Sequence, residues 1–163
     1  MYRLSLIRHA KSSWDHAELS DFERPLNDRG RRDAPVMAAR LKARGAPPDV
    51  LVSSPALRAI STARVFASVW GVPGDEILLQ SKIYEASAGT LLSVVNGFDD
   101  RHRHIALFGH NPGLSQLAHL LADCSFDDLP TCGIAQLSLT IRRWADATPG
   151  CGTLVYSSRP KAP

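Results

Sequence analysis

The sequence predicts an α/β layered fold built on a largely parallel sheet, and three observations carry that prediction. Short apolar runs at 2–8, 49–53 and 104–109 alternate with longer segments of helical periodicity. Each run stops abruptly at a polar junction: Arg8-His9, Ser53-Ser54-Pro55 and Gly109-His110-Asn111-Pro112. The chain then closes on two partly alternating runs, 134–141 and 152–157, which read as an antiparallel pair at one edge of the sheet.

Residues 2–8 form the first expected strand. A helix is expected over 27–44, because Ala34, Met37, Ala38 and Leu41 recur at i, i+3, i+4 and i+7 on one face. Pro35 lies inside it and predicts a kink or a later start. Gly45-Ala46-Pro47-Pro48 breaks the chain before the second strand, 49–53. Ser54-Pro55 has the form of an N-cap followed by proline at the first helical position. Ile60, Ala63, Ala67 and Trp70 mark the inner face of that helix, which Gly71-Val72-Pro73-Gly74 ends. Residues 77–80 suit a short strand. Residues 87–98 read as a helix with Leu91, Val94, Val95 and Phe98 inward. After the third buried strand, 104–109, Asn111 is placed to cap a helix with Pro112 at its first position and Leu114, Leu117, Ala118 and Leu121 on the core side. Residues 159–163 are expected to fray.

At 163 residues the chain can build one sizeable core, so 1–163 reads as a single domain. Its 44% hydrophobic and 21% charged content suit a soluble globular protein. No apolar stretch reaches bilayer length, and Arg8 interrupts the run 4–7, so neither a membrane partner nor a secretory leader is expected and the location expected is cytoplasmic. Cys124, Cys132 and Cys151 show no paired metal spacing and read as free thiols. The net charge of +3 is mild. Arg29-Gly30-Arg31-Arg32 and Arg101-His102-Arg103-His104 read as solvated basic faces, or as a rim that attracts a phosphorylated partner. Without stacking aromatics or a helix-turn-helix pattern they do not indicate nucleic-acid binding. Neither glycine signature of nucleotide binders is present.

If the three strands are parallel neighbours, their junctions open on the same sheet edge, where open α/β sheets bind ligands. Arg8, His9, Arg58 and His110 then converge, with Arg58 in the first turn of its helix and helix N-termini nearby. Phosphoryl chemistry needs that set. Guanidinium groups hold the anionic oxygens, a neutral imidazole attacks phosphorus, and a second imidazole stabilises the transition state.

Arg8-His9-Ala10 resembles the R-H-G signature of the histidine phosphatase superfamily, the phosphoglycerate-mutase-like branch 1 group. Ser53-Ser54-Pro55-Ala56-Leu57-Arg58-Ala59-Ile60-Ser61-Thr62-Ala63 matches its S-S-P-x-x-R-A-x-x-T-A block, and Gly109-His110-Asn111 its second-histidine motif. Arg8-His9-Ala10-Lys11-Ser12, Arg24-Pro25-Leu26 with Arg29-Gly30, and Gly109-His110-Asn111-Pro112-Gly113 are closer still to the SixA-type phosphohistidine phosphatases. Ala10, where most relatives carry glycine, is a mark of that subgroup. The resemblance runs from Leu4 to about Leu121.

It implies a three-layer αβα sandwich of phosphoglycerate-mutase type, with a largely parallel sheet and an antiparallel edge. It also implies a two-step phosphatase without metal or other cofactor, in which His9 becomes phosphohistidine while Arg8, Arg58 and His110 clamp the phosphoryl oxygens. Glu85 is the positional candidate for a general acid, or a solvated surface carboxylate. Lys11, Ser12, Arg24 and Asn111 are candidates for the substrate mouth. Lys11 and Ser12 could equally form a structural turn, Arg24 could pair with Asp21, and Asn111 and Ser54 read chiefly as helix caps. His102 and His104 read as a solvated loop, and the Met and Trp residues as core filling. The expected partner is a phosphorylated protein, such as a phosphohistidine phosphotransfer domain, or else a small phosphate ester; the chain is expected to be a monomer. A short chain without an inserted cap does not suit a mutase. A non-catalytic phosphate-binding module on the same fold is the rival from another class.

Overall fold

The computed structural model describes residues 1–161. Among them, six strands form one sheet: β1 (Tyr2–Arg8), β2 (Val50–Ser53), β3 (Leu78–Leu79), β4 (His104–Gly109), β5 (Ile134–Leu139) and β6 (Gly152–Ser158). Its order is β3-β2-β4-β1-β5-β6. β1, β2, β3 and β4 are mutually parallel; at one edge β5 runs antiparallel to β1, and β6 antiparallel to β5. Four helices cover it: α1 (Asp28–Lys42), α2 (Leu57–Trp70), α3 (Ala88–Asn96) and α4 (Gly113–Leu121).

The strand pleat sorts side chains into two cores. Tyr2, Leu4, Leu6, Ile105 and Leu107 pack beneath α3 and α4. Ile7, Leu51, Ala106 and Phe108 pack beneath α1 and α2, against Met37, Ala38, Phe66 and Trp70. β1 and β4 therefore bury both faces, as parallel strands between helical layers must. The architecture is the expected three-layer αβα sandwich.

Several local expectations are corrected. α1 runs continuously through Pro35. The missing amide removes one helical bond, yet Ala34, Met37, Ala38 and Leu41 are buried and packing decides the outcome. α2 begins at Leu57, so Ser54 lies outside its cap, and α4 begins at Gly113, one residue beyond Pro112. His104 is not in a solvated loop: it opens β4, with Nε2 2.8 Å from Ser5 Oγ. Burial pushes its pKa down to about 4. Met1 and Trp14 are not core filling, at 82% and 74% exposure, whereas Met37, Trp70 and Trp144 are. Arg159 and Pro160 are tied rather than frayed, because the Arg40 guanidinium donates to both carbonyls, at 2.7 and 3.3 Å. Residues 162–163 of that expectation lie outside the described residues.

Candidate active site

The sheet register builds the site. Arg8 pairs with Gly109 across β1 and β4, and Ser53 pairs with Phe108 across β2 and β4. The next residues, His9, His110 and Ser54, therefore leave the sheet side by side. The His9 amide still donates to the Gly109 carbonyl at 3.1 Å. The two imidazole centroids lie 5.2 Å apart, tilted by 49°.

His9 is held from every side. Its carbonyl accepts from the Cys132 amide at 3.0 Å. Ala10 is fully buried, and its amide donates to Thr62 Oγ1, which in turn donates to the Arg58 carbonyl. His9 Nδ1 lies 2.8 Å from the Ala10 carbonyl oxygen. A carbonyl can only accept, so Nδ1 carries the proton and Nε2 keeps its lone pair. Burial, reinforced by His110, Arg58 and Arg8, pushes the His9 pKa down to about 3 despite the Ala10 bond. The imidazole is neutral at physiological pH, as a nucleophile must be.

His110 is neutral for a similar reason: burial first, then Arg58, brings it to about 4. Its Nε2 lies 2.8 Å from Ser54 Oγ, which also accepts from the Ala56 amide. The other ring nitrogen, Nδ1, is buried and has no partner.

Three guanidinium groups complete the wall. Arg8 donates from Nη1 to the Leu129 carbonyl at 3.1 Å, and Asn111 Nδ2 donates to the same oxygen at 2.7 Å. Arg58 donates to the Asp21 carbonyl at 2.7 Å and to Asp21 Oδ2 at 3.0 Å. Arg24 reaches Asp21 Oδ1 at 3.2 Å, bonds Ser12 Oγ, and stacks 3.4 Å over the exposed Trp14 ring. Arg24 thus both pairs with Asp21 and lines the mouth. The Nε atoms of Arg8, Arg24 and Arg58 are buried without partners. Orphaned buried polar atoms are rare and costly, and four of them, three guanidinium Nε donors and one imidazole nitrogen on neighbouring side chains, suit an anion site.

The resulting cavity, about 300 Å³, is lined by Arg8, His9, Lys11, Ser12, Trp14, Arg24, Arg58, His110, Asn111 and Thr131. Larger cavities of about 550 and 600 Å³ lie elsewhere, but charged linings such as Lys82, Asp99, Arg101, Asp127 and Asp128 are exposed and no buried cations converge there. Glu85 is the one sequence candidate outside this lining. It is exposed, with φ 54°, beside a neighbouring depression that shares His110 and Asn111. Asn111 stands one residue before the Pro112 N-cap position yet caps α4 as expected: its Oδ1 accepts from the amide and hydroxyl of Ser115 in the helix's first turn. Among the described residues, no group of three His, Cys, Asp or Glu side chains is arranged as a metal site.

Sequence reasoning missed Tyr84 and gave Asp21 only as a possible partner of Arg24. The Tyr84 hydroxyl donates to Asp21 Oδ2 at 2.7 Å, and its ring meets His110 edge-on at 5.6 Å. That bond, followed by Arg58, holds the Asp21 carboxyl below its ordinary pKa. The Asp21–Arg24 spacing of i, i+3 was visible in the chain; nothing in the sequence pointed from Tyr84 to a residue 63 positions earlier.

Residues 4–93 match the sequence profile of the histidine phosphatase superfamily (branch 1). An uncharacterised protein of Mycobacterium tuberculosis is 33% identical over 159 residues, covering 91% of this chain and 96% of its own. A protein of Agrobacterium tumefaciens, provisionally named phosphohistidine phosphatase SixA, superposes with a TM-score of 0.81 at 25% identity, covering 98% of each chain. The protein histidine phosphatase SixA solved with tungstate superposes with a TM-score of 0.81 at 20% identity over 97% of each chain, a likeness of fold.

Proposed function

This chain belongs to the histidine phosphatase superfamily (branch 1), and on that premise we propose that it hydrolyses phosphohistidine on a protein by way of its own phosphohistidine at His9. The observation that carries the reading is the state of His9: neutral, with Nδ1 bound to the Ala10 carbonyl and Nε2 free, beside Arg8, Arg58 and His110.

In the first step His9 Nε2 attacks phosphorus, and the bond from phosphorus to the leaving nitrogen or oxygen breaks. The leaving group takes up a proton. The imidazole gains positive charge as the bond forms, and the Ala10 carbonyl at Nδ1 offsets it. The guanidinium groups of Arg8, Arg58 and Arg24 and the His110 imidazole bind the phosphoryl oxygens as negative charge moves onto them. In the second step water attacks phosphorus, the P–N bond to His9 breaks, and inorganic phosphate leaves with neutral His9 restored. A leaving imidazole asks less of a general acid than an alkoxide does, which suits a cavity that Glu85 does not line.

A protein substrate is supported by the shape of the mouth. Between β1 and α1 the chain adds only a three-residue 3-10 turn, Asp21–Glu23, with no inserted cap. Trp14 lines the mouth at 74% exposure, and Phe22 and Leu57, at 40% and 37%, line a second, apolar depression with Pro25 and Pro55. Such a rim fits a phosphoryl group presented on a surface. A small phosphate ester is the second reading, because the polar cavity recognises the phosphoryl group itself.

The test is hydrolysis of a phosphohistidine-bearing phosphotransfer domain beside an aryl phosphate, with EDTA present, by wild type and His9→Ala. Turnover of the phosphoprotein by wild type alone is expected. Turnover of the aryl ester alone moves the substrate to small molecules. Binding of phosphate without any turnover leaves the fold as a recognition module.

A further inference from the structure

We propose that Asp21 is a built-in competitor for the phosphoryl group, a carboxylate that occupies the arginines the substrate needs and thereby keeps the site from retaining phosphate. The inference rests on the phosphoryl-site reading above and adds to it a residue that tempers affinity.

The geometry is that of a bound anion. One oxygen of Asp21 meets Arg24 at 3.2 Å and the other meets Arg58 at 3.0 Å, the bridging arrangement that two oxygens of a phosphoryl group would adopt. The partners differ in how firmly they are held. The Arg24 and Arg58 side chains are 9% and 8% exposed, whereas that of Asp21 is 48% exposed. Arg58 is fixed further by the Asp21 backbone carbonyl, and Arg24 by Ser12 and Trp14. Asp21 sits on the 3-10 turn Asp21–Glu23, which contains no buried residue. The carboxylate can therefore leave into water while both guanidinium groups stay aimed at the cavity.

The charge balance points the same way. Arg8, Arg24 and Arg58 supply three positive charges; Asp21 pairs with two of them and Asp128 acts on Arg8 without an ion pair, so a net positive charge remains for a phosphoryl group. Without Asp21 the surplus rises, and product phosphate is held more firmly. A displaceable anion also spares the two buried arginines from facing each other without a counter-charge between turnovers. Tyr84, donating to Oδ2 at 2.7 Å, sets how readily the carboxylate lets go.

A merely structural Asp21 and a competing Asp21 predict opposite signs. Loss of a strut disorders the arginines and weakens phosphate binding; loss of a competitor strengthens it. Calorimetric titration of inorganic phosphate and of tungstate into the wild type, Asp21→Asn and Asp21→Glu measures this without turnover. Asp21→Asn is expected to bind both anions about tenfold more tightly, the order of one unit charge removed from a partly screened site. Asp21→Glu, which keeps the charge, is expected within about threefold of wild type. Equal or weaker binding by a folded Asp21→Asn overturns the proposal. If that variant does not fold, Tyr84→Phe decides: the loosened carboxylate should raise phosphate affinity severalfold, and an unchanged or lower affinity overturns the proposal. Failure of the wild type to bind either anion instead overturns the phosphoryl-site reading itself.

Discussion

Ser54 Oγ lies 2.8 Å from His110 Nε2, so the hydroxyl between β2 and α2 holds the orientation of an imidazole at the end of β4. Ser54→Ala removes that constraint while leaving Arg8, His9 and Arg58 in place. One hydrogen bond to a reacting group is worth roughly 1–2 kcal/mol. The expected result is about a tenfold lower kcat for phosphoryl transfer, restored by Ser54→Thr. Steady-state kinetics on the three proteins check it, and an unchanged kcat in Ser54→Ala would remove Ser54 from the mechanism.

Acid should weaken the fold through its buried histidines. Burial lowers His9 to about 3, and His104 and His110 to about 4, below the ordinary value of 6.5 that the unfolded chain regains. The unfolded state then binds more protons over this range. Stability is complete above about pH 6.5 and is lost as pH falls toward 4. His104 lies outside the active site, bonded to Ser5, whose hydroxyl also accepts from Gln136 Nε2 at 3.2 Å. His104→Gln should remove up to one proton from this dependence. The slope of unfolding free energy against pH would fall by up to about 1.4 kcal/mol per pH unit between pH 6 and 4.5. Urea titrations across that range measure it; an unaltered slope would show that His104 does not contribute.

Gly30 is predicted to tolerate no side chain. A Cβ there would stand 2.2 Å from the Lys11 carbonyl oxygen, which already accepts from the Asn27 amide at 3.0 Å. The first turn of α1 thus packs directly on the backbone two residues after His9. Gly30→Ala should cost about 1–3 kcal/mol and lower kcat as Lys11 is pushed toward the cavity. Thermal unfolding and turnover together check this, and a variant as stable and active as wild type would contradict the contact.

The elements that deliver the chemistry were legible in the chain because each is local. β1 and β4 have the boundaries their apolar runs predicted, and Arg8, His9 and His110 stand at the strand ends those runs locate, with Arg58 in the first turn of α2. The helix starts were less legible. Ser54-Pro55 has the composition of a cap, but α2 starts at Leu57 and the Ser54 hydroxyl meets His110; Asn111 does cap α4 through the Ser115 amide, while its Nδ2 donates to Leu129. His104 sat in a basic stretch that reads as solvated, and only the tertiary structure shows it half-buried at the start of β4 with its ring on Ser5.

What the sequence by itself determined is the order of strands and helices, the family to which the motifs belong, and the candidate residues at the strand ends. Those follow from periodicity and from residue types within a few positions of one another. Tertiary structure alone decided that β4 inserts between β1 and β2, bringing His9 and His110 to 5.2 Å. It also decided that the Leu129 carbonyl holds both Arg8 and Asn111, and that Asp21, Tyr84, Arg24 and Arg58 form one cluster. The physical reason is that strand pairing and burial act between residues far apart in the chain. A carbonyl, a surface aspartate and a tyrosine carry no local pattern; their roles come from the neighbours that the packed sheet supplies.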